Sequence, residues 1–210
     1  MRLLHRDMDI LDTLATKVRL LSVPQIADAW WPDRASGKNQ AARRLRQLKA
    51  AGLIDEQTVH AYPPIPLTEP VATWAPGGPD PDCEAISYRL QSRWSGSPRL
   101  TPVYTASEQT ARRFGGVGGR LAHPTQATHD LHVADLYLRA RRLDPATAQL
   151  WLTEDLRPKA GFRQKDPDVI IEYPDGRPLL VIEFGGRYDA NRVREFHEHC
   201  ARQNWRWELW

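Results

Sequence analysis

Asp168 and Glu183 are the residues whose spacing points most directly to chemistry. They flank two β-branched or leucine-rich runs, Val169-Ile170-Ile171 and Leu179-Leu180-Val181-Ile182, which are joined by Pro174-Asp175-Gly176-Arg177. An Asp-Gly pair between two such runs predicts a β-hairpin. With the turn centred on Asp175-Gly176, Tyr173 faces Pro178 and Asp168 lies directly across from Glu183. Opposed residues share a face with Cβ atoms about 5 Å apart, so the two carboxylates converge on one point. Carboxylates that close repel unless a divalent cation, a shared proton or an arginine compensates them.

A second constellation is basic. Lys38, Asn39, Gln40, Arg43, Arg44, Arg46, Gln47 and Lys49 fall within twelve residues that contain no acid. Arginine reads guanine bidentately, asparagine and glutamine read adenine, and lysine holds phosphate, so a helix presenting this set is equipped for the major groove of DNA. An amphipathic surface helix that is merely arginine-rich, or one that binds protein, remains the alternative. Two further patterns carry less. His129 and His132 stand one helical turn apart with no other ligands nearby and read as surface or capping residues rather than a metal site. Gly115-Gly116-Val117-Gly118-Gly119 lacks the Lys-Ser/Thr of a phosphate loop and reads as a flexible turn.

The elements that must position these residues follow from periodicity. Leu11, Leu14, Ala15, Val18 and Leu21 predict a first helix over Met8–Leu21. Ser22 and Gln25 form a capping box around Pro24, opening a short second helix from Val23 to about Trp30. A third helix runs from Ser36 to Ala51 and stops at Gly52. It has an inward stripe of Ala41, Leu45 and Leu48, with Arg44 at its flank. Gly52-Leu53-Ile54-Asp55 opens a strand, with Val71–Trp74 as its candidate partner. Seven prolines between residues 61 and 83 mark an extended connector. Beyond it, helices are expected over Cys83–Arg93 and Ser107–Phe114, and strands at Pro102–Thr105 and Gln149–Thr153. A long helix capped by Thr128-His129-Asp130 is expected to run to Leu143, and a last helix over Asp189–Gln203 precedes a terminal strand with Trp205, Trp207 and Leu209 on one face. His197, Glu198 and His199 read as a solvated face of that last helix.

Composition bounds the rest. In 210 residues, 41% hydrophobic and 26% charged, a packed core is expected and disorder or a fibrous fold is excluded. Apolar runs are too short to span a bilayer, and Met1-Arg2 leads into His5, Arg6 and Asp7 rather than an apolar secretory segment, so a cytoplasmic, non-membrane protein is expected. Cys83 and Cys200 are isolated thiols. The net charge of +3 argues for nothing by itself, and the positive field is local to the third helix.

Three short helices followed by a strand resemble the winged helix-turn-helix family over residues 7–62. Arg44-Leu45-Arg46-Gln47-Leu48-Lys49-Ala50-Ala51-Gly52-Leu53-Ile54 is similar to its recognition-helix-to-wing passage. Pro167-Asp168 and Glu183-Phe184-Gly185 resemble the PD-(D/E)XK nuclease superfamily. That resemblance implies magnesium held by Asp168 and Glu183, with Glu154 as a third ligand, and a lysine two residues past the second carboxylate. Here that position is Gly185. Arg187 and Lys165 are the basic residues that would have to substitute, and arginine is a poor general base. An inactive nuclease-like scaffold, an active magnesium-dependent endonuclease and an unrelated α/β domain therefore all stay open. Together with His129-Asp130-Leu131, the two halves look like the replication-relaxation family of plasmid- and mobile-element-associated proteins. This resemblance implies a DNA-binding regulator of transcription or replication. The expected architecture mixes α+β and α/β character. A winged helix-turn-helix occupies residues 1–62, a proline- and glycine-rich connector 63–124, and a mixed sheet flanked by helices 125–210. The partner expected is double-stranded DNA, bound by a homodimer. DNA binding needs no cofactor, and Mg²⁺ enters only if the carboxylate site is functional.

Overall fold

Ser22 and Gln25 show how locally the first helices are encoded. The Ser22 N–H donates to Gln25 Oε1 at 2.9 Å, and Ser22 Oγ accepts the Gln25 N–H at 3.5 Å. This capping box opens α2 (Val23–Trp30) as expected. The first helix is shorter than its periodicity suggests. α1 (His5–Asp12) passes into a π-helical turn, Thr13–Lys17, and Leu21–Ser22 form a short strand, β1. α3 (Gly37–Ala50) buries Ala41, Leu45 and Leu48, the stripe read from the sequence.

The computed structural model describes residues 2–32, 35–117, 123–157 and 166–210, in an α+β fold with two separate sheets. These divide into two units, each assembled from two stretches of chain. Residues 1–64 and 97–145 make the first, and residues 65–96 and 146–210 the second. The boundaries expected at 62 and 124 are therefore corrected. The proline-rich stretch is not a free-standing connector, because its elements are shared between the two sheets.

In the first unit β2 (Ile54–Ala61) lacks the partner assigned to it. The stretch around Val71–Trp74 forms β3 (Ala72–Trp74), which pairs with residues 207–209 of the other sheet, and α4 (Cys83–Ser92) also belongs to the second unit. β2 instead pairs antiparallel with β4 (Arg99–Ala106), from Ile54↔Ala106 to Ala61↔Arg99, and β1 lies on the far edge of β4. A whole segment of the second unit is thus inserted between two strands of a hairpin. After α5 (Glu108–Arg113), α6 (Ala127–Leu143) packs Ala127 and Leu131 onto Leu20, Val59, Ala61 and Val103. That helix was expected to open the C-terminal domain under a Thr128 cap. Its N-cap is Gln126 with no side-chain bond, and it belongs to the first unit. Gln25 Nε2 fastens it by donating to Leu131 O at 2.8 Å and Asp135 Oδ1 at 2.7 Å.

The second unit follows a short helix α7 (Pro145–Gln149) with β5 (Trp151–Thr153), β6 (Val169–Glu172), β7 (Pro178–Glu183), α8 (Ala190–Arg202) and β8 (Trp207–Leu209). The strand order is β3-β8-β7-β6-β5, antiparallel except for β7 and β8, which run parallel around the α8 crossover. Leu90 of α4, Val193, Phe196 and Cys200 of α8, and Ile170, Val181, Trp207 and Leu209 of the sheet share one core. The sequence reading of Trp207 and Leu209 as core thus agrees with their burial. The hairpin keeps the expected register at Val169↔Ile182, Ile170↔Val181 and Ile171↔Leu180. It departs at the turn, where a bulge sets Glu172 rather than Tyr173 against Pro178. The Tyr173 N–H donates to Arg177 O at 2.9 Å, and Gly176 sits at φ 81°.

Candidate nucleic-acid face and carboxylate pair

α3 presents Lys38, Asn39, Arg43, Arg46, Gln47 and Lys49 to solvent, while Gln40 and Arg44 are half-buried. The eight residues do not act as one set. Arg44 turns back onto α1, where its Nε donates to Asp7 Oδ1 at 2.7 Å and its Nη2 to Asp7 Oδ2 at 2.5 Å. Asp7 is only 1% exposed and also accepts the Leu4 N–H at 2.6 Å. Burial pushes the Asp7 carboxyl up. The Arg44 hydrogen bonds, the Leu4 amide and the charges of Arg44 and Arg6 outweigh it and hold the group below its ordinary value. The guanidinium of Arg44 is correspondingly held above its own. Arg44 is thus a structural residue that also orients Gln47, whose Oε1 accepts Nη1 at 2.7 Å. Lys49 is paired with Glu56 of β2 at 2.8 Å, and Gln40 Nε2 donates to Ser36 Oγ at 2.7 Å. Lys38, Asn39, Arg43 and Arg46 remain as exposed side chains on a helix without a single acid. The key missed in the sequence was Asp7. It falls on the Ile10, Leu11 and Leu14 stripe, and an acid on an apolar face signals a buried partner.

Asp168 and Glu183 do come together at the open end of the β6–β7 hairpin. Both are buried, Glu183 completely. Two of their oxygens accept backbone amides and a third accepts a tyrosine hydroxyl. Glu183 Oε2 accepts the Asp168 N–H at 3.0 Å, Asp168 Oδ2 accepts the Phe184 N–H at 2.8 Å, and Tyr188 Oη donates to Glu183 Oε1 at 2.5 Å. Each carboxylate thereby stitches the strand that carries the other. Glu154 lies in a 3₁₀ turn, and its N–H bonds to Asp168 O at 3.1 Å. Among the described residues no group of three or more His, Cys, Asp or Glu side chains is arranged to hold a metal ion. Mg²⁺ needs octahedral oxygen ligands and keeps several waters. A fully buried Glu183 with both oxygens already accepting hydrogen bonds does not fit that demand.

The position of the missing lysine is itself closed. A Cβ at Gly185 would lie 3.0 Å from Leu90 Cδ1 and 3.0 Å from Leu209 Cδ1. A side chain there would enter the apolar core between α4 and β8. Arg187 holds its guanidinium 5.4 Å over the Trp94 ring, and Lys165 lies outside the described residues. Cys200 of α8 is buried in the core of the same unit. Burial, with the Glu183 charge adding, pushes its thiol up to about 12, so it stays protonated.

The remaining sequence candidates have structural partners. His132 is buried with Nδ1 2.6 Å from Thr128 O, and His129 lies 3.5 Å from Asp130, which pairs with Arg19 at 3.3 Å. His197, expected on a solvated face, is buried with its ring 5.0 Å from Trp74 and 6.0 Å from Trp207. No helix among the described residues is long and apolar enough to cross a membrane. Comparison of the chain with family models, curated proteins and solved structures gave no match.

Proposed function

We propose that this chain is a cytoplasmic DNA-binding protein, a regulator of transcription or replication of the kind carried by plasmids and mobile elements. In this reading α3 enters the major groove of duplex DNA, and a nuclease-like second unit performs no hydrolysis. The observation that carries the reading is the acid-free outer face of α3, with Lys38, Asn39, Arg43 and Arg46 exposed beside the β2–β4 hairpin. A sheet of order β1-β4-β2, with β1 between α1 and α2 and β2 directly after α3, supports a winged helix-turn-helix with α3 as its recognition helix. One helix supplies few phosphate contacts, so a homodimer on two half-sites is part of the proposal. Duplex binding followed across a salt series tests it. Arg43→Ala/Arg46→Ala should weaken binding by about 1–3 kcal/mol per contact. Each lost phosphate contact should flatten the slope of log K against log salt by about 0.9. Unchanged affinity and slope in that variant would sink the proposal in favour of a protein-interaction role.

The second reading, a magnesium-dependent endonuclease built on Asp168 and Glu183, keeps one observation in its favour: the two carboxylates meet at one end of a hairpin. Their engagement with backbone amides and the closed Gly185 position weigh against it. Metal-dependent cleavage abolished by Asp168→Ala would reverse that ranking.

A further inference from the structure

Arg44 and Trp31 fasten residues 2–7 to the flank of α3. The Arg44 fork takes both oxygens of Asp7 through Nε and Nη2, and Nη2 also donates to Arg2 O at 3.1 Å. Asp7 Oδ2 in turn accepts the Leu4 N–H, so the chain from Arg2 to Asp7 is folded around one guanidinium. The Arg6 guanidinium lies 4.3 Å over the ring of Trp31. Trp31 abuts the first turn of α3, where a Cβ at Gly37 would lie 2.9 Å from Trp31 O and 3.3 Å from Trp31 Cβ. Arg6 is thereby placed near the N-terminal end of α3 and Arg2 beside Arg44, about two helical turns further on.

Asp7 is the only acid among residues 2–7, and Arg44 neutralises it. Arg2 is exposed and Arg6 half-buried, and neither forms a salt bridge among the described residues. The Arg44 Nη1 donates to Gln47 Oε1, so the flank that carries Arg2 is the one that carries Gln47. Arg43 stands four residues before Gln47 and therefore one turn away on the same side. The anchored segment thus continues the acid-free surface of α3. A helix seated in a major groove about 12 Å wide has its flanks at the phosphates that border the groove, and groups there position the protein rather than read bases.

We infer that Arg2 and Arg6 grip the duplex phosphates bordering the groove that α3 enters, and that Arg44 is the positioning residue that holds them there. This rests on the reading of α3 as a DNA-contacting helix and extends it to a phosphate site beside that helix. The test is fluorescence anisotropy of the full chain with labelled duplexes of two unrelated sequences across a salt series. In Arg2→Ala/Arg6→Ala each lost phosphate contact should weaken binding about fivefold at about 0.15 M salt and flatten the slope of log K against log salt by about 0.9, equally on both duplexes. Arg44 bonds the carbonyl of Arg2 rather than its side chain, so Arg2→Ala keeps the anchor and should leave the urea midpoint unchanged. Arg2→Lys/Arg6→Lys retains the point charges and should restore most of the affinity and slope. Arg44→Lys keeps the net charge but loses the fork. It should lose the share of the slope that belongs to Arg2, and adding Arg2→Ala to it should cost nothing more, a coupling that a merely structural Arg44 would not show. Wild-type affinity and slope in Arg2→Ala/Arg6→Ala, with binding weakened in Arg43→Ala/Arg46→Ala, would overturn the phosphate site and leave the α3 reading standing. Additive losses for Arg44→Lys and Arg2→Ala would overturn the positioning role. Duplex binding untouched by Arg43→Ala/Arg46→Ala marks failure at α3 itself, and the flanking site falls with it.

Discussion

Arg43 and Arg44 are neighbours in sequence with opposite consequences when lost. Arg44→Ala leaves Asp7, 1% exposed, without the two short bonds to its fork. Removing one partner of a buried pair costs about 3–5 kcal/mol. The Arg44 side chain keeps 18% exposure, and the Leu4 amide still serves Asp7, so the low end, about 3 kcal/mol, is expected. With a urea m-value near 1.5 kcal/mol/M, the unfolding midpoint of the first unit should fall by about 2 M. The deficit depends on pH. Asp7 has a folded pKa below its unfolded one, so its contribution is present above the unfolded value near 4 and is lost as pH falls through the folded value. The gap between wild type and Arg44→Ala should therefore be widest near neutrality and narrow below about pH 4. Arg44→Ala/Asp7→Asn should recover part of the loss, since no charge is then stranded. Arg43→Ala, fully on the surface, should leave the midpoint within about 0.5 kcal/mol of wild type. Urea titrations followed by tryptophan fluorescence at pH 7 and pH 3.5 measure all four proteins. An Arg44→Ala chain with a wild-type midpoint and weakened duplex binding would refute the reasoning, because the fork would then be acting on DNA.

Three further outcomes follow from the same contacts. Burial, with the charge of Asp28 adding and Gln25 opposing, raises the Asp135 carboxyl to about 6. A carboxyl raised in the folded state makes the protein less stable as pH rises from about 4 through 6, so Asp135→Asn should gain about 2 kcal/mol at pH 8 and nothing at pH 3.5 in thermal melts. Gly185→Lys must displace Leu90 and Leu209, and should lose about 1–3 kcal/mol without producing metal-dependent cleavage, read by melting temperature and DNA strand integrity. Gly116→Ala would set a Cβ 1.7 Å from Ala15 O, a backbone atom of the π-helical turn, and should destabilise the first unit by more than about 2 kcal/mol in urea.

Local signals proved legible where they were self-contained. The Ser22–Gln25 box, the α3 stripe and the central hairpin register each depend on residues a few positions apart, and each appears in the structure. The turn register missed by one residue because Gly176 accommodates a bulge that a two-residue loop would lack. Partnership across long stretches was not legible. Val71–Trp74 looked like the nearest partner for β2, yet those residues joined β8, and Arg99–Ala106 took the place. Periodicity finds an amphipathic helix but not the surface it will cover, and α6 covers the sheet of the first unit rather than the C-terminal one. The carboxylate pair was found by register alone. Its use as a backbone staple depends on Tyr188 and the Phe184 amide, which no spacing rule connects to it.

The central claim is a DNA-binding chain whose carboxylate pair holds the fold rather than a metal. Its most direct test incubates the purified protein with supercoiled and linear duplex DNA, with and without Mg²⁺ or Mn²⁺, and records mobility and strand integrity across a salt series. The account predicts a salt-sensitive shift, lost in Arg43→Ala/Arg46→Ala, with strands intact at every metal concentration. Metal-dependent cleavage that disappears in Glu183→Ala would contradict it.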